Sequence, residues 1–164
     1  MNMLHEIPDT KERKRLDEII DNRANYTSVM QFFEDLRELG INLVEFRNPL
    51  DNDDYNCRHF VFYNVMEEDW IEIGKKIPAG LTWDTLNFLS KKGYVSVYEP
   101  QDMDVVAYMG VEKVVEKNIP KSLHFGVYND GLVFAKWGNG HVMSHEIDMI
   151  PGNLGDTALF FRKS

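Results

Sequence analysis

Apolar residues recur at helical spacing through the first half of the chain and at strand spacing through much of the second. Residues 9–22 predict a short helix: Asp9 or Thr10 caps it, Glu12 follows in the first turn, and Leu16, Ile19 and Ile20 form its stripe. Residues 28–39 predict a second helix, with Thr27 as N-cap. Its Val29, Phe32, Phe33 and Leu36 fall at i, i+3, i+4 and i+7, and Gly40 stands where a C-terminal glycine belongs. An extended stretch, Ile41 to Phe46, follows. Asn48 to Asn56 is a loop full of aspartate and asparagine. Beyond it, Cys57 to Val65 predicts a helix with Cys57 in its first turn and Asp54 or Asn56 as cap. The same run is rich in β-branched and aromatic residues, so a buried strand is the alternative. Residues 83–92 predict another short helix between Thr82 and Gly93.

From Tyr94 the pattern changes. Tyr94–Tyr98, Asp104–Met109, Leu123–Asn129, Leu132–Trp137 and Thr157–Arg162 predict strands. Asn129-Asp130-Gly131 is a hairpin signal, because asparagine, aspartate and glycine tolerate the positive φ of tight turns. Helices first and antiparallel strands after is the order of an α+β domain.

Composition narrows the classes. At 164 residues, with no repeat and no dividing linker, the chain predicts a single domain, residues 1–164. A net charge of −9 disfavours nucleic acid and anionic membrane surfaces, which need clustered positive charge. No apolar run approaches the ~18 residues of a membrane span. Met1 to Arg15 is studded with charge and lacks the apolar stretch of a secretion signal. The expectation is a soluble, cytoplasmic protein with neither a nucleic-acid nor a membrane partner. Cys57 is the single cysteine, so an intramolecular disulfide is excluded.

A lone cysteine is by default a small buried hydrophobe. Cys57, however, follows a polar loop and opens a predicted helix, where N–H groups and the helix dipole favour a thiolate. His124 begins a predicted strand downstream, and a thiolate beside an imidazole makes a nucleophile with its acid/base partner. The pair His141 and His145, with Glu146 and Asp148 nearby, has HxxxH spacing. Two zinc ligands on one face require a helix there, which Gly138, Asn139 and Gly140 oppose. No metal and no organic cofactor is expected.

These residues resemble a family. Asn56-Cys57 entering an aromatic helix is similar to the Asp-Cys-Ser-Gly-Phe opening of NlpC-type papain-like cysteine peptidases. Pro100 to Tyr108 resembles that family's Pro-Gly-Asp strand, and His124-Phe125-Gly126-Val127-Tyr128 resembles its His-Val-Gly-Ile-Tyr. Ala135-Lys136-Trp137-Gly138, then His145, Pro151 and Gly155, is similar to a bacterial subgroup with Ser-Lys-Trp-Gly, a histidine, a proline and a glycine turn. The resemblance covers about residues 50–162. It implies a papain-like α+β core over residues 48–164, with five or six antiparallel strands packed on the Cys57 helix and residues 1–47 added as a helical extension.

The resemblance also implies a cysteine-dependent hydrolase or acyltransferase acting on an amide or acyl bond, with a cell-wall peptide as the family's usual substrate. Cys57 would attack as thiolate, and His124 would lower its pKa and protonate the leaving group. The backbone N–H of Cys57 would hold the oxyanion, with Tyr55 or Asn52 as second donor. Trp137 and His145 complete the expected substrate-contacting set. The family's third catalytic position falls on Lys136, twelve residues after His124. A protonated lysine cannot accept a hydrogen bond from an imidazole, which leaves His145, Asp148 or the backbone to orient His124. Asn56 in place of aspartate, the bulky Arg58 and Lys136 point to the other class, an inactive papain-like binding or inhibitor module.

Overall fold

The computed structural model describes residues 4–46, 56–66, 82–114, 117–137 and 140–164. It is an α+β structure with one eight-stranded sheet. The strands are β1 (His5–Glu6), β2 (Asn42–Glu45), β3 (Tyr94–Val97), β4 (Val105–Val114), β5 (Lys117–Asn129), β6 (Leu132–Lys136), β7 (Val142–His145) and β8 (Thr157–Lys163). Their order is β1-β8-β4-β5-β6-β7-β2, with β3 also paired to β8, and every pairing is antiparallel. The described helices are α1 (Lys11–Asp21), α2 (Val29–Glu38), α3 (Cys57–Met66) and α4 (Thr82–Lys91). Among the described residues no helix is long and apolar enough to cross a membrane.

Local chemistry sets the element ends. Thr10 caps α1 by accepting from Arg13 N at 3.1 Å. Ser28, not Thr27, caps α2: its hydroxyl accepts from Gln31 N at 3.3 Å, because the third helical N–H lies within reach of residue 28. Gly40, at φ +77°, closes α2 with paired bonds from Gly40 N to Arg37 O and from Ile41 N to Leu36 O. The 57–66 run is a helix, and its alternative as a strand is set aside. Asp130 and Gly131, both at positive φ, form the two-residue turn between β5 and β6.

Two strands escape the alternation rule. β1 is only two residues long. β7 is buried at every position, so its Val-Met-Ser-His run carries no inside–outside pattern. Within residues 1–47, expected as a helical extension, the described part carries α1 and α2 and also supplies β1 and β2 to opposite ends of the sheet path.

The sheet is covered on both faces. Cys57, Val61 and Phe62 of α3 and Leu89 of α4 pack on Val105, Ala107, Met109, Phe125 and Val127. The opposite face carries Val106, Tyr108, Val133, Ala135, Ala158 and Phe160, packed with Ile7 and Ile150. A third core joins Leu16 and Ile19 of α1 to Phe32 and Leu36 of α2, with Ile41 and Met143.

The segment 146–156 is tied down by the N-terminus. Arg13, 6% exposed, donates from Nε to Ile150 O at 3.0 Å and from Nη2 to Gly155 O. Asp17 Oδ1 accepts from Gly152 N, and His5 Nε2 meets Asp148 Oδ1 at 2.6 Å. Arg13→Met leaves two buried carbonyls without their donor. It is expected to cost about 2–4 kcal/mol in urea-unfolding stability. Asp17→Asn acts on an exposed bond and is expected to cost less than about 1 kcal/mol in the same measurement.

Candidate functional site

Cys57 stands where the sequence places it, at the first position of α3. Asn56 builds that start: its Oδ1 accepts from Arg58 N at 3.0 Å and its carbonyl from Phe60 N. The side chain points into the core. Burial pushes the thiol pKa up, and this outweighs the N–H of Phe125, the charge of Arg58 and the N–H groups of Arg58 and Cys57, which all favour the thiolate. The thiol is therefore protonated at neutral pH.

His124 lies on β5 and is 1% exposed. It pairs across the ladder with Tyr108, and the two rings stack at 5.8 Å. Its neighbour Phe125 pairs with Ala107. Phe125 and Ala107 pack with Cys57, whereas Tyr108 belongs to the opposite core. Successive side chains of a strand point to opposite faces. Cys57 and His124 are thus on different sides of the sheet. The groups acting on Cys57 are backbone amides and Arg58, and the group acting on His124 is His145. The structure does not join the thiol and the imidazole into the expected pair.

The physical reason is competition for the helix face. Val61 and Phe62 of α3 need apolar partners, and Phe125 and Val127 supply them. His124, Gly126 and Tyr128 then take the other face. Gly126 fits there because a Cβ at that position would lie 2.4 Å from Val133 Cγ1 and 3.2 Å from Ala135 Cβ. The β4–β5 ladder also shifts register between Tyr108 and Met109, which leaves Leu123 beside His124 as the extra residue.

Of the remaining candidates, His145 and Trp137 gather with His124 around Tyr108, and the others lie elsewhere. Lys136 is 1% exposed and donates from Nζ to Gly140 O at 2.6 Å. By alternation with Ala135 it leaves the His124 face, so it does not orient that imidazole. His145, fully buried, shares the Tyr108 core: its ring lies 6.3 Å from Tyr108 and 5.8 Å from Trp137. Asp148 pairs with His5 rather than with His124. His141 packs edge-on against Phe33 and Phe46. Tyr55 and Asn52 lie outside the described residues. Tyr108, which ties this cluster together and donates to Ile147 O at 2.9 Å, was not singled out from the sequence. The alternation of Val106 and Tyr108 against Val105 and Ala107 was the available signal.

Among the described residues, no group of three or more histidine, cysteine, aspartate or glutamate side chains could hold a metal ion. No family model, curated protein or solved structure matches the chain.

Burial lowers the His124 pKa to about 3, reinforced by His145, and lowers that of His145 to about 4 against the pull of the Glu146 carbonyl. Both are neutral at pH 7. In the unfolded chain they bind protons near pH 6.5, before the folded form does. Stability therefore falls as pH drops below about 6.5, by roughly 3–5 kcal/mol per histidine on reaching the folded pKa values. His124→Gln is expected to flatten the fall between pH 6.5 and 5, measured by urea titrations at each pH. An unchanged slope would show that His124 is not buried in its neutral form.

Proposed function

We propose that this chain is a papain-like scaffold, similar to the NlpC type, that serves as a non-hydrolytic binding or inhibitor module for a peptide or protein partner. One observation carries the reading: Cys57, on α3, packs against one face of the sheet while His124 projects from the other, and both are desolvated. A thiol nucleophile needs its base within hydrogen-bond reach and an opening for the acyl group. Cys57 meets neither requirement among the described residues. The −9 charge favours a partner with a basic surface.

The second reading, a cysteine hydrolase or acyltransferase acting on an amide or acyl bond, draws on one feature. The backbone N–H groups of Phe125, Arg58 and Cys57 and the charge of Arg58 surround the sulfur and favour its anion. Burial is the larger influence and opposes it.

Iodoacetamide alkylation of Cys57 as a function of pH separates the two. The folded protein is expected to react at least about a hundredfold more slowly than the protein in urea, since access requires opening. His124→Ala is expected to leave the pH profile unchanged. Rapid modification below pH 7 that disappears in His124→Ala would overturn the binding-module reading and restore the Cys57–His124 pair.

A further inference from the structure

Among the described residues, three buried ring nitrogens on the face opposite α3 have no hydrogen-bond partner: His124 Nε2, His145 Nε2 and Trp137 Nε1. Their rings form one chain of contacts. Trp137 lies 5.8 Å from His145, which lies 6.3 Å from Tyr108, which stacks at 5.8 Å on His124. The hydroxyl of Tyr108 is already used on Ile147 O.

The chemistry of two of these nitrogens is defined by their surroundings and bond type. His145 Nδ1 lies 2.7 Å from Glu146 O, and a carbonyl can only accept. Nδ1 therefore carries the proton, and Nε2 presents a lone pair. The indole N–H of Trp137 can only donate. His124 is neutral, so it too has one nitrogen that accepts. A donor and two imidazoles thus share one desolvated cluster, where unmet hydrogen bonds are costly.

We propose that Trp137, His145 and His124 enclose an internal water site, in which ordered water accepts from Trp137 Nε1–H and donates to the Nε2 atoms of His145 and His124. Water suits this set because it both donates and accepts and carries no charge. A metal cation cannot accept from the indole N–H. An anion without protons cannot donate to imidazole lone pairs. The site gives a physical role to Trp137 and to His145: through water, the turn after β6 and the end of β7 are held to the centre of the sheet at His124.

The test uses the full-length protein labelled with ¹⁵N. Water-selective NMR is expected to show transfer from a long-lived water to the Trp137 Nε1 proton. The imidazole ¹⁵N shifts are expected to report Nδ1–H tautomers with hydrogen-bonded Nε2 acceptors at both His145 and His124. Trp137→Phe keeps a ring but removes the donor, and is expected to lose the hydrogen-bonded signature at His145 Nε2. Should that variant fail to fold, a high-resolution crystal structure of the unaltered protein decides the matter. Solvent density within hydrogen-bond reach of the three nitrogens supports the site. An Nε2–H tautomer at His145, dry nitrogens, or a metal revealed there by anomalous scattering would overturn it.

Discussion

The pleat of β5 is the constraint on which the rest of the structure depends. This strand runs between β4 and β6 and is covered on both faces, so every side chain from His124 to Val127 must enter one core or the other. Phe125 and Val127 go to α3, and His124 and Gly126 go to the face that holds Tyr108 and Val133. A shift of one residue would exchange the two sets and place an imidazole against Val61 and Phe62, while pushing Phe125 and Val127 against Val133 and Ala135, which now close on Gly126. Packing and chemistry therefore compete for the same strand, and packing decides which residues meet.

Electrostatics follow from that choice. The features that would make Cys57 a nucleophile, a helix N-terminus with N–H groups and a nearby guanidinium, are present, yet desolvation outweighs them. The imidazole that would serve as base is on the far side of the sheet and is itself held neutral by burial. With the sheet between them, the thiol cannot pass its proton to the imidazole, and the helix N-terminus alone does not make a reactive thiol.

The far side is closed by elements remote in sequence. Arg13 and Asp17 reach from α1 to the 150–155 turn, Ile7 N bonds Asp156 O, and His5 meets Asp148. The N-terminal residues thus extend the sheet through β1 and fasten the segment covering Tyr108, which itself bonds the Ile147 carbonyl. Their place is in the core architecture rather than as a detachable appendage.

Local signals in the sequence determined the helices α1, α2 and α4, the hairpin at Asp130-Gly131 and most of the strands, because these depend on local spacing, caps and positive-φ residues; at α3 they left helix and strand both open. In the helical reading they placed Cys57 at the helix start, where Asn56 is a strong cap whatever lies across from it. They did not determine β7, buried throughout, or β1, too short to show a period. Nor did they decide whether Cys57 and His124 face one another. That depends on which face of β5 the helix covers, a matter settled by the apolar side chains of α3, β4 and β6 packing together over long sequence separations. Only the tertiary structure carries that information, since a strand's alternation says which residues share a face but not which face meets the helix.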